Sequence, residues 1–156
     1  MVQKLEDYAV PSELKHFGID YLNIALLGRI GNGKSAFFNT IWSIMNGSYD
    51  EPQLTKSDIT TVTLEIRKRF LKNNRNNAIR LCDTYGWKGG DSWSQELEFF
   101  LDGALRDGYK ENSDLLKSLN KEPTVGDRVH AVIIVYEMPS IYTDSHIDEL
   151  KKFFAK

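Results

Sequence analysis

Apolar and polar positions along the chain predict four β-strands. Residues 21–27 and 129–136 are apolar almost throughout, which is typical of strands buried on both faces of a parallel sheet. Residues 61–71 alternate apolar and polar side chains, which indicates a half-buried strand. Residues 78–82 form the next apolar run, after an asparagine-rich turn at 72–77. The strands at 61–71 and 78–82 therefore form an antiparallel hairpin.

Helical periodicity separates these strands. After the first strand, the face that we expect to be buried holds Phe37, Ile41, Ile44 and Met45, and Asn46-Gly47 ends the helix. Further helices are predicted at 11–18, 92–101 and 143–154. Ser92 and Gln95 form a capping box at the start of the helix at 92–101, and Thr143 or Asp144 caps the helix at 143–154. Polar segments that predict loops lie at 48–58, 87–91 and most of 103–127, where a short helix is also expected. Strands that alternate with helices predict an α/β fold with three layers and a mostly parallel sheet, with one antiparallel hairpin strand.

The strongest local pattern lies between the first strand and the helix after it. Residues 28–35 read Gly-Arg-Ile-Gly-Asn-Gly-Lys-Ser and fit G-x-x-x-x-G-K-[ST], the phosphate-binding P-loop. Glycines let backbone N–H groups turn inward around a phosphate, and the helix N-terminus adds its positive dipole end. We expect Lys34 to reach the β- and γ-phosphates and the Ser35 hydroxyl to bind Mg²⁺. The predicted nucleotide-binding residues are Gly28, Arg29, Ile30, Gly31, Asn32, Gly33, Lys34, Ser35 and Ala36.

A second motif, Asp-Thr-Tyr-Gly, follows the strand at 78–82. Asp83 at the carboxyl end of that strand is predicted to hold Mg²⁺ directly or through water, and the backbone N–H of Gly86 to approach the γ-phosphate. Thr60 and Thr61 precede the strand at 61–71, where switch-type GTPases place a threonine that senses Mg²⁺ and the γ-phosphate. Either threonine fits this role, and two ordinary strand-start threonines are an equal alternative. The predicted catalytic residues are Lys34, Thr60, Thr61 and Gly86, and the predicted metal ligands are Ser35 and Asp83.

Four segments together resemble the GTPase-like domain of the interferon-induced protein 44 family: LLGRIGNGKSAFFNTIWSIMNG, SDITTVTLEIR, IRLCDTYGW and DRVHAVIIVYEMPS. The resemblance runs from about Tyr21 to Phe154. It implies a P-loop NTPase fold of the small-GTPase-like type that binds GTP or GDP with Mg²⁺. It further implies a slow GTP hydrolase or molecular switch, located in the cytoplasm and connected with innate immune or antiviral responses. The family's usual N-terminal companion domain is absent from these 156 residues.

The base-recognition segment of a GTPase is also absent from this sequence. No [NT]-K-x-D motif lies at the end of a later apolar strand: Thr55-Lys56-Ser57-Asp58 fits the letters but precedes the strand at 61–71. Asn120-Lys121-Glu122-Pro123 is not a substitute because no apolar strand precedes it. We therefore expect one P-loop GTPase-like domain at 1–156, with residues 1–20 as a lead-in and an incomplete C-terminal part. Guanine versus adenine preference stays open, so an ATPase is an alternative. A non-catalytic nucleotide-binding interaction module is the other.

Composition narrows the classes of partner and site. Hydrophobic residues make up 41% and charged residues 27%, the net charge is -2, and the one cysteine is Cys82. These values give no reason to expect nucleic acid as a partner, a membrane span or a disulfide framework, and a cytosolic compartment fits best. Besides the guanine nucleotide, we expect a homodimer or another protein partner. The histidines His16, His130 and His146 lack metal spacing, and Arg29 is interpreted as a solvated loop residue rather than an arginine finger.

Overall fold

A computed structural model gives the architecture, and the structure describes residues 2–46, 65–71, 76–86, 94–110 and 114–136. The helices are α1 (Val2–Glu6), α2 (Ser12–His16), α3 (Lys34–Asn46), α4 (Ser94–Leu101) and α5 (Leu115–Ser118), with a short 3-10 helix at Val125–Asp127. The strands are β1 (Leu22–Leu27), β2 (Arg67–Phe70), β3 (Ile79–Asp83) and β4 (Ala131–Ile134). Several predicted features lie outside the described residues, namely the loops 48–58 and 87–91, the threonines Thr60 and Thr61, the cap at Ser92 and the helix at 143–154.

The strands form one sheet in the order β2-β3-β1-β4. β1 pairs in parallel with β3 and with β4, and β2 pairs antiparallel with β3. In this register Leu26 lies beside Asp83, and Leu27 lies beside Ile134. The carboxyl ends of the three parallel strands therefore meet at one edge of the sheet. The predicted α/β fold with one antiparallel hairpin strand is confirmed.

Apolar side chains cover both faces of the sheet. On one face, residues of α3 pack on β1 and β3, and this cluster comprises Leu26, Phe38, Trp42, Met45, Leu71, Ile79 and Leu81. On the other face, α4 and the chain after it pack on the same strands, and this cluster comprises Ala25, Leu27, Ile66, Cys82, Tyr85, Phe100, Leu105 and Tyr109. Two helical layers around a sheet are the arrangement in which a parallel sheet is buried. This is the predicted three-layer architecture.

The buried face of α3 agrees with the predicted face only in part, because Ile41 and Met45 pack in the core but Phe37 and Ile44 do not. Phe38, Trp42 and Met45 are buried, whereas Phe37 is exposed and Ile44 has 51% of its surface exposed. Apolar residues occur on both sides of this helix, so periodicity alone does not fix its rotation. The rotation follows from the loop before it, because the Ser35 side chain faces β3. That side of the helix also carries Phe38, Trp42 and Met45, which follow Ser35 by three, seven and ten positions.

Two further expectations from apolar content are wrong. The segment after α4, predicted to be surface loop, places Leu105 and Tyr109 in the core, and the Ile66 N–H donates to the Tyr109 carbonyl at 2.8 Å. β4, predicted to be buried on both faces, exposes Val132 and Ile133. Within the described part of the chain, β4 has a partner strand only on its β1 side. An apolar run therefore indicates a strand here without fixing its place in the sheet.

Acidification is expected to destabilise the fold through His130. His130 Nδ1 accepts the Asn23 backbone N–H at 3.0 Å, and the backbone N–H of His130 donates to the Asn23 backbone carbonyl at 2.9 Å. Burial lowers the pKa of His130; a hydrogen bond with the Val125 backbone opposes this shift, and the charge of Arg80 reinforces it. As the pH falls through about 6.5 the unfolded chain therefore binds a proton before the folded chain does, and stability is lost until the folded ring is protonated.

The melting temperature measured between pH 7 and pH 5 tests this expectation. His130→Gln keeps an acceptor for the Asn23 N–H but does not titrate in this range. Its melting temperature should fall less over the same interval than that of the wild type. Equal decreases in the two proteins would show that His130 does not carry the effect.

Candidate functional site

The candidate site lies at the carboxyl ends of β1, β3 and β4. The chain leaves β1 at Leu27 and enters α3 at Lys34, so residues 28–33 form the loop between them. Gly31 and Gly33 both have φ +85°, a conformation that L side chains rarely adopt. The Phe37 N–H donates to the Gly33 carbonyl at 2.8 Å, which joins the loop directly to the first turn of α3. The loop has the conformation that the glycine spacing predicts for a P-loop.

Lys34 folds back over this loop instead of extending into solvent. Its side chain is buried, with 5% of the residue exposed, and Nζ donates to the carbonyls of Gly28 at 3.1 Å and Arg29 at 3.0 Å. Burial lowers the pKa of Lys34, and the nearby negative charge of Asp83 opposes that shift. Carbonyl oxygens satisfy an ammonium group less well than the charged oxygens of a phosphate do. Lys34 is therefore placed to exchange these contacts for an anion held in the loop.

Ser35 and Asp83 come together beneath the loop. The Ser35 Oγ donates to Asp83 Oδ2 at 2.8 Å, although the two residues are 48 positions apart. Asp83 is 1% exposed, and its second oxygen, Oδ1, is buried with no hydrogen-bond partner among the described residues. Burial raises the pKa of Asp83, while the Ser35 hydroxyl and the Lys34 charge oppose the shift. A buried carboxylate with an unused oxygen is an unfavourable group unless a ligand completes it.

A Mg²⁺ ion fits this donor set. Mg²⁺ prefers oxygen ligands and keeps several waters, so that one or two protein side chains together with phosphates complete its shell. The Ser35 hydroxyl and the Asp83 carboxylate supply oxygen ligands of this kind. Among the described residues there is no cluster of three or more histidine, cysteine, aspartate or glutamate side chains that would suit a different metal. The observation that favours the ion is that Asp83 Oδ1 has no hydrogen-bond partner in the part of the chain that the structure describes.

The Asp-Thr-Tyr-Gly motif contacts the P-loop directly. The buried Thr84 hydroxyl donates to the Leu26 carbonyl at 2.7 Å, which fixes the chain after β3 against β1. Gly86 then lies so close to the loop that an added Cβ would be 2.3 Å from the Ile30 nitrogen and 2.6 Å from the Arg29 carbonyl carbon. The predicted phosphate loop and the predicted second motif are therefore adjacent, as a shared ligand would require.

Gly86→Ala is expected to lower affinity for a nucleoside triphosphate by at least about tenfold, or 1.4 kcal/mol. The new methyl group would meet backbone atoms, which cannot rotate away, so the loop and the second motif must separate. Gly108→Ala is the matched control, because its Cβ would meet no atom within 4 Å while its φ of +80° still strains the new residue. The control should lower the melting temperature without changing affinity, as measured by calorimetric titration. Unchanged affinity in Gly86→Ala would separate Gly86 from the site.

Two contacts at this edge were not predicted from the sequence. The Asn32 side-chain amide donates to the Val135 carbonyl at 3.3 Å, so the loop also contacts the chain that follows β4. Glu96 on α4 accepts hydrogen bonds from the hydroxyls of Tyr85 and Tyr109. A glutamate in the first turn of a helix is common for reasons of helix dipole alone, so nothing in the sequence marks Glu96. Thr60 and Thr61 lie outside the described residues and stay predictions.

Comparisons with known proteins agree with this geometry. The family model described as 50S ribosome-binding GTPase matches residues 23–154. Interferon-induced protein 44-like of Homo sapiens is 30% identical over 154 residues, covering 90% of this chain and 33% of that protein. Interferon-induced protein 44 of Pan troglodytes is 29% identical over 133 residues, covering 79% of this chain and 30% of that protein. The corresponding protein of Mus musculus is 26% identical over 161 residues, covering 96% and 36%.

The chain thus spans about a third of the length of these curated relatives. No solved structure matches it significantly. In the described ranges, none of the helices has the length and apolar character needed to cross a membrane. The resemblance to the interferon-induced protein 44 family is confirmed over most of the chain. With a family model covering well over half of its residues, this chain belongs to the P-loop GTPase family described as 50S ribosome-binding GTPase.

Proposed function

We propose that this domain binds GTP or GDP together with Mg²⁺ and acts as a slow GTP hydrolase or molecular switch. The observation that carries the proposal is the placement of Ser35, Asp83 and Lys34 under one glycine-rich loop, with Asp83 Oδ1 lacking a partner among the described residues. Family membership supports nucleotide as the ligand class. The proposed nucleotide-binding segment is residues 28–36.

Each proposed ligand contact follows from the chemistry of one group. The backbone N–H groups of the loop hold phosphate oxygens, and Lys34 neutralises charge on the β- and γ-phosphates. Ser35 and Asp83 hold Mg²⁺, with Asp83 binding directly or through water. The ion, when bound, offsets the charge that develops on the phosphates. Because Asp83 must be ionised to bind it, the raised pKa of Asp83 couples ion binding to proton release.

The triphosphate is distinguished from the diphosphate by Gly86 and by one of the two threonines before β2. Gly86 follows Thr84, whose side chain donates a hydrogen bond to β1, and Tyr85, whose side chain donates one to α4. Gly86 itself lies against the loop at Arg29 and Ile30. Its N–H is the group that we expect at the γ-phosphate. Thr60 or Thr61 is proposed to sense the γ-phosphate as well, in the role of a switch threonine.

Hydrolysis is expected to be slow because of the residue after Gly86. Trp87, which lies outside the described residues, occupies the position where a glutamine commonly orients the attacking water. An indole has one N–H donor and no acceptor, so it cannot hold the lone pairs of water in line. Lys34, the ion and backbone N–H groups stabilise charge without orienting that water. We expect a rate at or below about 10⁻³ s⁻¹.

The cellular part of the proposal rests on the relatives. Their names describe interferon-induced proteins, and we extend to this chain a cytoplasmic role in innate immune or antiviral responses. A second copy or another protein is the proposed macromolecular partner. Transcript levels in the source cells, measured after interferon treatment, test this extension. A transcript that does not respond to interferon would contradict it.

Titration with GTP, GDP and ATP, followed by single-turnover hydrolysis, tests the biochemical proposal. The phosphates are expected to dominate affinity, because no [NT]-K-x-D motif follows a later strand in these 156 residues. GTP and ATP should therefore differ by less than about tenfold, or 1.4 kcal/mol. Binding without detectable turnover would favour the alternative, a non-catalytic interaction module, and a strong preference for ATP would favour an ATPase. Failure of all three nucleotides to bind would overturn the proposal.

A further inference from the structure

We propose that Glu96 is a positioning residue that acts through Tyr85 on Gly86 and sets the preference of the site for triphosphate over diphosphate. This inference rests on the proposed nucleotide function. It assigns a role to a carboxylate on α4 whose hydrogen-bond partners are two tyrosines, rather than the P-loop or the metal-binding pair.

Glu96 joins two buried tyrosines. Tyr85 is 1% exposed and Tyr109 is 3% exposed. The Tyr85 hydroxyl donates to Glu96 Oε2, and the Tyr109 hydroxyl donates to Glu96 Oε1 at 2.8 Å. The two rings lie 6.4 Å apart, centroid to centroid, with planes inclined at 42°. Both carboxylate oxygens are thus used, each by a different tyrosine.

The first of these tyrosines immediately precedes Gly86. Thr84 donates to the Leu26 carbonyl on β1, and Tyr85 donates to Glu96 on α4, so neighbouring residues are bonded to elements on two sides. Gly86 comes next, at a distance from Ile30 that leaves no space for a side chain. A shift in the backbone at Tyr85 would therefore move Gly86 toward or away from the loop. The hydrogen bond to Glu96 sets where that backbone lies.

Packing alone would not require this arrangement. A phenylalanine at position 85 would fill the same apolar space without burying a hydroxyl beside a carboxylate, and buried polar groups destabilise a core unless they are paired. Hydrogen bonds are directional, whereas apolar contacts tolerate sliding and rotation. The Tyr85–Glu96 bond therefore fixes the distance between the second motif and α4 more closely than an apolar contact would.

The nucleotide dependence follows from what Gly86 is proposed to touch. Its N–H approaches the γ-phosphate, which GDP lacks. Displacing Gly86 should therefore weaken binding of a triphosphate while leaving binding of GDP nearly unchanged. General loss of structure would instead weaken binding of both nucleotides together. The ratio of the two affinities distinguishes a positioning role from a structural role.

The experiment measures affinities of the full chain for GDP and for a non-hydrolysable GTP analogue, both with Mg²⁺. Tyr85→Phe should lower analogue affinity roughly three- to tenfold and change GDP affinity less than about twofold. Tyr109→Phe is the matched control, since it removes a hydroxyl from the same carboxylate but far along the chain from Gly86. Its affinity ratio should stay within about twofold of wild type. Glu96→Gln, which keeps an acceptor for Tyr85, should retain more of the wild-type ratio than Glu96→Ala.

Equal losses for both nucleotides in Tyr85→Phe, or an unchanged ratio, would overturn the inference while leaving the proposed function intact. A wild-type chain that binds neither nucleotide would overturn the proposed function, and this inference with it. An equal change of ratio in Tyr85→Phe and Tyr109→Phe would also overturn the specific route through Tyr85. These results are distinguishable in one set of titrations.

Discussion

Lys34→Ala is expected to weaken nucleoside triphosphate binding by about 2–3 kcal/mol, roughly 30- to 150-fold. Lys34 is buried over the loop and donates to the carbonyls of Gly28 and Arg29. Its charge is thus held at the place where the β- and γ-phosphates are proposed to bind. Removing the side chain deletes a charge-assisted contact to the ligand, while the core residues of α3 keep their packing.

The measurement is calorimetric titration with a GTP analogue and Mg²⁺, together with the melting temperature of the nucleotide-free protein. Lys117→Ala is a suitable control, because Lys117 is on the surface with 85% of its side chain exposed and pairs with Asp114. Both variants should melt within a few degrees of wild type. If Lys34→Ala bound the GTP analogue with wild-type affinity, the P-loop would not be the site that holds the phosphates of the nucleotide.

Asp83→Asn is expected to remove the effect of Mg²⁺ on nucleotide affinity, a loss of at least about tenfold at saturating Mg²⁺ (1.4 kcal/mol). An amide keeps the size of the carboxylate but lacks its charge, so it is a poor ligand for a hard cation. In EDTA, the variant and the wild type should bind the nucleotide about equally. A variant that still gains affinity from Mg²⁺ would remove Asp83 from the metal site.

The same substitution should not lower the stability of the nucleotide-free protein. Because burial raises the pKa of Asp83, the ionised form is less favourable in the folded than in the unfolded chain. That group contributes stability below its unfolded pKa of about 3.9 and loses the contribution as the pH rises through the folded pKa. At neutral pH, Asp83→Asn should therefore melt at or above the wild-type temperature.

Asp107→Asn is the control for loss of charge alone. Asp107 accepts from the Lys68 N–H and from Arg69 NH1, both at 2.7 Å, on the exposed side of β2. It should leave the Mg²⁺ dependence unchanged and lower stability slightly, because it breaks a surface ion pair. A lower melting temperature for Asp83→Asn than for Asp107→Asn would contradict the view that Asp83 is held for its ligand.

The conformation of the loop at 28–33 was predictable because local sequence determines it. Glycines at 31 and 33 permit the positive φ values, and the apolar run before them is a strand in any α/β arrangement. Asp83 was predictable from its place at a strand end, although its bond to Ser35 depends on the parallel pairing of β1 with β3. These features need only the chain nearby and one strand pairing.

Other features depend on long-range packing and were not predictable. The rotation of α3 is set by the Ser35 side chain, which points toward β3. Because of this rotation, the apolar side chains of Phe37 and Ile44 face solvent. Tyr109 enters the core because its segment pairs with the chain at Ile66, and no periodicity marks such an irregular stretch. Glu96 resembles an ordinary helix-start acid until Tyr85 and Tyr109 are seen on either oxygen.

The central claim is that residues 28–36 and Asp83 form a nucleotide site completed by Mg²⁺. Calorimetric titration of the wild-type chain with a non-hydrolysable GTP analogue, once with Mg²⁺ and once with EDTA, tests it most directly. We expect saturable one-to-one binding with Mg²⁺ and at least about tenfold weaker binding with EDTA, a difference of 1.4 kcal/mol. No binding under either condition, or equal affinity in both, would contradict the claim.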